Sequence, residues 1–144
     1  DAVGAVTRLV DMGVEPFLVA SSLLGVLAQR LVRKLCPLCR QTRAPDAAEL
    51  RLLTASGNEP SSLPIYTPVG CNACTNTGYQ GRTGIYELLT VDDSLRTLIH
   101  DGAAEGKLRE YARTRGMRNM RDDGLRWVRA GATSLEEVLR VTRE

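Results

Sequence analysis

Apolar residues at helical spacing predict a helix at the start of the chain. Val3, Val6 and Val10 recur at intervals of three and four residues, which places them on one face of a helix. Asp1 is suited to cap this helix, and Gly13 is suited to end it. We therefore expect a short amphipathic helix with one buried face.

A second helix is predicted to begin at Pro16, because a proline in the first turn lacks only an amide that would be unpaired there anyway. Residues 1–35 are then expected to be helical, and both helices are expected to face a core. The apolar stripe of the second helix contains Phe17, Ala20, Leu24, Leu27 and Leu31.

Four further short helices are predicted between residues 92 and 144. Asp92 or Asp93 caps the first of them, and Ala103–Thr114 forms the second. Ser134 with Glu137 has the pattern of a capping box at the start of the last helix. The apolar positions assigned to these helices are Leu95, Leu98, Ile99, Leu108, Tyr111, Ala112, Met120, Leu125, Trp127, Val128, Leu135, Val138, Leu139 and Val141.

The middle of the chain, residues 36–91, is rich in turn-forming residues and contains all four cysteines. Asp46, after a proline, predicts a short helix over 46–55, followed by a loop over 57–64. Short strands are predicted over 65–69 and 83–89.

These patterns together predict a mainly α fold with short β-strands. We divide it into three consecutive domains: a helical segment over 1–35, a tetracysteine lobe over 36–91 and a helical subdomain over 92–144. Aromatic residues are scarce, with one Trp, one Phe and four Tyr. Leu, Val and Ala must therefore fill the interior, which favours helices.

Charge and apolar content argue against two kinds of partner. The formal net charge is +2, whereas a dedicated nucleic-acid binder usually has a basic face and a higher pI. Lys107–Arg129 holds eight basic residues, which we interpret as a solvated helical face. The uncharged, apolar-rich run Pro16–Gln29 has fourteen residues, and a membrane-spanning helix needs about 20. We expect neither nucleic-acid binding nor membrane insertion.

The four cysteines form two matched pairs, Cys36 with Cys39 and Cys71 with Cys74, separated by 31 residues. Two residues between thiols allow one tight turn to direct both sulfurs to the same point. Two such turns supply the tetrahedral thiolate set that Zn²⁺ prefers. A closed four-thiolate shell leaves no position for water or substrate, so the predicted zinc is structural. Residues 40–70, which we call the 40–70 excursion, lie between the two cysteine pairs. The zinc would hold the two ends of this segment together, since it has too little apolar content to fold alone.

Other uses of the cysteines fit the sequence less well. Two disulfides would need an oxidising compartment, and no export signal is visible. A thioredoxin-like redox site uses one C-x-x-C pair, and iron–sulfur clusters usually have more closely clustered cysteines. A nucleic-acid-binding zinc ribbon would bring more basic and aromatic residues than Arg40, Arg43 and Arg82.

Residues for catalysis are missing from this sequence. His100 is its one histidine, so no Ser-His-Asp or Cys-His pairing is available. Residues 102–107 superficially resemble a phosphate-binding loop, but one residue is missing between the glycines and Leu108 follows Lys107 where Ser or Thr is required. The chain alone is not expected to hold or hydrolyse ATP.

Three segments resemble one protein family: residues 1–9 (DAVGAVTRL), 27–39 (LAQRLVRKLCPLC) and 70–87 (GCNACTNTGYQGRTGIYE). They resemble the traffic ATPases, and most closely the type II secretion ATPases, the E proteins of the general secretion pathway. The type IV pilus assembly ATPases are the sister group. The resemblance extends over nearly the whole chain, and the tetracysteine segment distinguishes secretion and pilus-assembly members from pilus-retraction relatives.

The resemblance implies the C-terminal helical portion of a RecA-like secretion ATPase that carries an inserted tetracysteine zinc lobe. The parent would be bacterial, cytoplasmic, peripheral at the inner membrane and hexameric, and its ATP hydrolysis would drive assembly of a pilus-like fibre. Its partners would be its own subunits and inner-membrane secretion platform proteins. ATP and Mg²⁺ would bind mainly upstream, and Asp1 resembles the last residue of the family's His-rich box.

The same resemblance assigns a role to two arginines. Arg82, and with less support Arg30 beside Gln29, would approach a neighbouring subunit's nucleotide or interface. An arginine supplied across an interface can stabilise charge during phosphoryl transfer. The alternative is that Arg82 is a strand-end residue or a partner for Glu87.

Two rival functions stay open from the sequence. One is a type IV pilus assembly ATPase, which shares the same motifs. The other is a free-standing zinc-ribbon adaptor that binds nucleic acid or protein. The adaptor predicts salt-sensitive binding to DNA or RNA through Lys107–Arg129.

Overall fold

The computed structural model describes residues 1–54 and 64–143. Helices predominate among these residues, and a short 3₁₀ helix, Asn72–Cys74, forms the turn between Cys71 and Cys74. In chain order the other elements are α1 (Ala2–Asp11), α2 (Pro16–Ser22), β1 (Gly25–Leu35), β2 (Gln41–Arg43), α3 (Ala47–Thr54), β3 (Ile65–Thr67), β4 (Tyr79–Thr90), α4 (Asp93–His100), α5 (Glu105–Thr114), α6 (Met120–Arg129) and α7 (Leu135–Val141).

The chain divides into two compact units, each built from two segments. Unit 1 contains Asp1–Gln29 and Tyr86–Met120, and unit 2 contains Arg30–Ile85 and Arg121–Glu144. The division between the units falls within β1 and within β4.

Strands β1 and β4 pair in one two-stranded sheet, and β2 and β3 pair in another. The first pair runs antiparallel, because Val91 N donates to Leu24 O (3.0 Å) at one end and Cys36 N donates to Gly78 O (2.9 Å) at the other. The second pair is also antiparallel. Strand β1 therefore depends on a partner that is distant in the sequence.

Helices α1, α2, α4 and α5 build the core of unit 1. Asp1 accepts a hydrogen bond from Gly4 N (2.6 Å), and Asp92 accepts one from Leu95 N (2.9 Å), so both residues cap the helices that follow them. Asp1 also forms a 2.7 Å ion pair with Arg109 of α5. The buried apolar side chains of this unit are Ala2, Val3, Val6, Val19, Ala20, Leu89, Val91, Leu95, Ile99, Leu108 and Ala112.

Glu87 is a buried carboxylate in unit 1, with only 3% of its surface exposed. Its oxygens accept hydrogen bonds from Ala2 N (2.8 Å) and Met120 N (3.2 Å). Ala2 and Met120 are the first residues of α1 and α6. Helix N-termini have unpaired amides and favour negative charge, so Glu87 bonds β4 to the starts of two helices.

In unit 2, Glu137 fixes α7 to β1. Its fully buried carboxylate pairs with Arg33 (2.7 Å) and Arg140 (2.8 Å) and accepts a bond from Arg33 N (3.1 Å). Burial opposes ionisation, but the bonds from Arg140 and Arg33 outweigh it and lower the pKa of Glu137 to about 2. Ser134 caps α7 as predicted, accepting from Glu137 N (3.2 Å). The Glu137 side chain turns to the arginines instead of completing the capping box.

The prediction that residues 1–35 are helical throughout is wrong for the segment after α2. That helix ends at Ser22, and β1 begins at Gly25. Leu24, Leu27 and Leu31 are 77%, 61% and 50% exposed, so they do not form the expected core stripe. These leucines recur at helical spacing, but strand pairing with β4 overrides that local pattern.

The predicted helices over 46–55 and after residue 92 are confirmed, and the described residues are helix-rich with strands between the helices. Strands β1 and β4 contain 11 and 12 residues, so β4 is longer than predicted. The loop predicted over 57–64 lies, apart from Pro64, outside the described residues. The three-domain division stays a prediction. Among the described helices, none is long and apolar enough to cross a membrane.

Candidate metal centre

The four cysteines lie on two turns of unit 2. Cys36 follows the last residue of β1, and Cys39 closes the turn that leads to β2. Cys71 precedes the 3₁₀ helix, and Cys74 ends it. The bond from Cys36 N to Gly78 O (2.9 Å) pairs the end of β1 with the residues just after the second turn. Sheet pairing therefore places both cysteine turns side by side.

The thiol sulfurs form a group with tetrahedral dimensions. All four Sγ atoms lie within 4.8 Å of one another. The separations are 3.9 Å for Cys36–Cys71, 3.8 Å for Cys39–Cys74 and 3.8 Å for Cys71–Cys74. Four sulfurs at ~2.3 Å from a zinc ion at the centre of a regular tetrahedron would be about 3.8 Å apart. The donor set and its spacing fit one tetrahedral metal ion such as zinc.

Disulfides do not account for this arrangement. All four cysteines are free, and the measured sulfur separations are far beyond the ~2.05 Å of a disulfide bond. The sulfurs approach one another across the two turns as well as within the second turn. One metal ion bound by all four sulfurs explains both the separations across the two turns and the separation within the second turn.

Backbone amides donate to two of the sulfurs. Cys71 N and Gly78 N each lie 3.2 Å from Cys74 Sγ, and Gly70 N lies 3.3 Å from Cys39 Sγ. Burial opposes ionisation of Cys74, but the amides of Cys71 and Gly78 and the neighbouring thiols lower its pKa to about 6. Burial raises the pKa of Cys39 to about 11. A divalent cation would supply the positive charge that a set of four thiolates requires.

Two glycines allow the second turn to close. A side chain at Gly70 would place its Cβ 2.8 Å from Asn76 O, and one at Gly78 would place it 2.5 Å from Pro68 Cβ. Both glycines also have positive φ, +114° and +75°, a region that L-residues rarely adopt. Sequence reasoning did not single out Gly70, although its place directly before Cys71 was visible.

The region between the cysteine pairs is held by cation–π and ionic contacts. The guanidinium of Arg40 lies over the Tyr66 ring, 4.5 Å from its centroid, and also donates to Gly131 O. Arg43 forms a bidentate ion pair with Glu49 at the start of α3. These residues anchor β2, β3 and α3 within unit 2.

Comparison with known proteins decides the family. The family model described as type II/IV secretion system protein matches residues 1–140. The chain belongs to this family. Type II secretion system protein HxcR of Pseudomonas aeruginosa is 57% identical over 144 residues, 100% of the chain. The type II secretion system ATPase E of Vibrio cholerae is 55% identical over 99% of the chain, and the type IV pilus assembly ATPase PilB of Thermus thermophilus is 46% identical over 100%.

The chain spans about a quarter of the length of the type II secretion proteins it matches. It covers 27% of HxcR, 28% of the Vibrio ATPase and 16% of the Thermus pilus ATPase. The names of these secretion system proteins therefore describe longer polypeptides. The matched range includes both cysteine turns.

The two arginines predicted to have a role in this secretion family occupy different settings in unit 2. Arg82 is exposed on β4 and has no hydrogen bond or ion pair within the described residues. Arg30, on β1, donates to Val141 O at the end of α7. Glu87, the alternative partner considered for Arg82, instead accepts the amides at the starts of two helices. The roles of Arg82 and Arg30 at a nucleotide or subunit interface stay predictions.

Proposed function

We propose that the chain is the C-terminal, zinc-binding portion of a hexameric ATPase that powers type II protein secretion at the bacterial inner membrane. The observation that carries this proposal is the 55–57% identity to type II secretion proteins over at least 99% of the chain. One of these relatives is named a type II secretion system ATPase. The parent would use ATP hydrolysis on the cytoplasmic side to assemble the pseudopilus.

Zinc would be held by Cys36, Cys39, Cys71 and Cys74. When bound, it supplies a closed tetrahedral cross-link without an open coordination position, so its role is structural. Sulfur separations of 3.8–3.9 Å support this assignment. The amides of Cys71 and Gly78 would orient the Cys74 sulfur, and the two turns would join the end of β1 to the start of β4. The zinc-binding free energy would contribute directly to the stability of unit 2.

An exposed apolar face of the sheet in unit 1 supports the RecA-like parent. Leu27 of β1 is 61% exposed, and Tyr86 and Leu88 of β4 are 42% and 58% exposed, whereas their neighbours Glu87 and Leu89 are buried. In α/β proteins both faces of the sheet are normally covered. We infer that other parts of the parent cover this face. They would also supply most of the site for ATP and Mg²⁺.

Unit 2 is the candidate lobe for transmitting motion. Rigid attachment of the 40–70 excursion at the cysteine turns would convert rotations of the motor into displacements of its tip. The tip would contact the inner-membrane platform proteins. The contacts of Arg40 and Arg43 support a rigid root for this excursion, of which residues 55–63 lie outside the described part. Arg82, exposed on β4, would face a neighbouring subunit or its nucleotide.

A type IV pilus assembly ATPase is the second candidate. PilB of Thermus thermophilus and TfpB of Acinetobacter baylyi are 46% and 47% identical over 100% and 98% of the chain. The type II secretion proteins at 55–57% identity favour the secretion assignment.

The proposal is tested with the full-length parent in a strain that lacks it. We expect the wild-type protein to hydrolyse ATP and to restore export of secreted enzymes, and the Cys71→Ser/Cys74→Ser variant to lose export. Asn72→Ser, an exposed change in the same turn, is the control and should retain it. Restoration of pili but not export would select the second candidate, and an absence of ATP hydrolysis by the wild type would refute both.

The role of the tip is tested separately by deleting residues 44–64 from the full-length parent. We expect ATP hydrolysis to persist and export to be lost, because the deletion removes the docking surface but leaves the cysteines. Export at the wild-type level would show that the excursion does not contact the platform.

A further inference from the structure

Unit 1 exposes an apolar surface where α1 ends and α2 begins. Met12, Phe17 and Leu18 are 73%, 52% and 46% exposed. A cavity of ≈ 270 Å³ opens beside them, with Val14 and Leu18 in its lining. Monomeric proteins seldom leave several large apolar side chains together in water, and such patches commonly mark interaction sites.

This surface is bordered by acidic residues, and we call it the acidic surface. Asp11 and Glu15 are exposed on either side of Met12 and Val14. Their carboxylates make no ion pair with the other described residues. Arg8 is the remaining charged residue between positions 8 and 18, so this stretch has one positive and two negative side chains.

A second surface of unit 1, at the end of α5, has the opposite charge, and we call it the basic surface. A cavity of ≈ 260 Å³ there is lined in part by Tyr111, Met117, Arg115 and Arg118. Tyr111 and Met117 are partly exposed. Arg118 makes no ion pair within the described part of the chain, and Arg113 is exposed nearby in the sequence.

The charge balance of the basic surface is clearly positive. Arg115 lies 3.3 Å from Asp92, and its side chain is still 66% exposed. Arg115 and Arg118, which line the cavity, against Asp92 leave one uncompensated positive charge. The basic surface therefore combines apolar side chains with an excess of positive charge, whereas the acidic surface has an excess of negative charge.

We propose that the acidic surface of one copy binds the basic surface of the next copy in the assembled parent protein. The linings of the two cavities share no residue, so the contact would be heterologous, and heterologous contacts close into rings when the rotation permits. An apolar centre with complementary charges at its border is the usual composition of an interface. This inference rests on the proposed function, in which several copies act together.

A second copy of the chain is the occupant favoured by the charges. Both halves of the complementary pair occur in one sequence, so every copy carries what its neighbour needs. Exposed charges at such a contact steer association and are screened by salt. The wild-type assembly is therefore expected to weaken as ionic strength rises.

Charge reversal tests the contact in the full-length parent. One variant, Asp11→Lys/Glu15→Lys, makes the acidic surface positive, and another, Arg113→Glu/Arg118→Glu, makes the basic surface negative. Self-association is measured by analytical ultracentrifugation without nucleotide. Each variant alone is expected to need at least about a tenfold higher concentration to assemble, because like charges then face each other. Two control variants reverse exposed charges elsewhere: Asp101→Lys/Glu110→Lys and Lys107→Glu/Arg143→Glu. Each should change the concentration needed for assembly by less than about twofold.

Mixing the two variants is the decisive step. Each then presents a surface complementary to the other, so an equimolar mixture is expected to assemble in alternation near the wild-type concentration. Variants that assemble like the wild type, a mixture that does not recover, or a wild-type parent that stays monomeric would each overturn the interface. Because no nucleotide is used, these outcomes are distinct from a failure of ATP hydrolysis or export, which would refute the proposed function.

Discussion

Replacing Glu137 by glutamine is expected to destabilise unit 2. The carboxylate is fully buried and pairs with Arg33 and Arg140 at 2.7 and 2.8 Å. Glutamine keeps the shape of the side chain but loses its charge. Its amide nitrogen would also face guanidinium groups that can only donate hydrogen bonds. The variant therefore keeps one of the two oxygens that accept from Arg33 and Arg140 and replaces the other with a donor.

The size of this effect follows from the lowered pKa. The pKa of Glu137 is about 2 in the folded chain, against an ordinary value of 4.5. Each unit corresponds to ~1.4 kcal/mol, so the charge contributes about 3 kcal/mol at neutral pH. The Arg33 and Arg140 side chains are 45% and 58% exposed, and solvent screening reduces such a contribution. We expect Glu137→Gln to lower the free energy of unfolding by about 2 kcal/mol.

The lowered pKa of Glu137 also determines how the stability difference between the wild type and Glu137→Gln depends on pH. Because the folded pKa lies below the unfolded one, the contribution is complete above about pH 4.5 and is lost as the pH falls towards about 2. The stability difference between the wild type and Glu137→Gln should therefore stay constant from neutral pH down to about pH 5.5. It should shrink below about pH 4.5.

Denaturant unfolding, followed by circular dichroism at a series of pH values, measures this difference. The wild type and the variant are compared at equal zinc content at each pH, because protonation of the thiolates releases the metal in acid. Glu136→Gln is the matched control, since Glu136 is the exposed neighbour on α7, and it should change stability by less than ~0.5 kcal/mol. A Glu137→Gln variant as stable as the wild type at neutral pH would show that the Glu137 charge does not stabilise unit 2. A difference that persists unchanged at about pH 3 would also refute a stabilising role of this charge.

Three further changes give separate tests. Gly78→Ala places a Cβ 2.5 Å from Pro68 Cβ, whereas Gly81→Ala at a similar φ of +74° meets nothing within 4 Å. Gly78→Ala should lower the free energy of unfolding by about 2–4 kcal/mol and weaken zinc binding, whereas Gly81→Ala should lower it by only about 1 kcal/mol. Equal losses of stability in thermal unfolding would contradict this. Glu87→Gln puts a donor against helix amides and should cost about 1–3 kcal/mol, so unchanged thermal stability would count against it. Cys71→Ser should abolish zinc retention in a competition titration, and retained zinc would disprove its role as a ligand.

Features set by residues close in the sequence could be predicted. The sequence predicts caps at Asp1, at Asp92 or Asp93, and at Ser134. In the structure Asp1, Asp92 and Ser134 each accept a bond from an amide three residues further on. The two cysteine pairs were recognised in the same way, because C-x-x-C is a local turn. Their spacing alone indicates a common metal ion, and the sulfur separations fit one.

Features that depend on distant residues could not be predicted from local patterns. Leu27 and Leu31 have helical spacing, yet the segment is a strand because it pairs with β4. Glu137 was interpreted as a capping residue, and nothing in the sequence indicated that Arg33 would lie 2.7 Å from it. The buried position of Glu87 between two helix starts has the same origin.

The zinc content of the 144-residue chain, purified without added metal, is the direct test of the four-cysteine metal centre. Native mass spectrometry would count the bound ions, and thermal unfolding before and after a strong chelator would measure their effect. We expect one zinc per chain and a large loss of stability on its removal, since the metal stabilises only the folded turns. A metal-free chain with four titratable thiols, stable to the chelator, would contradict this.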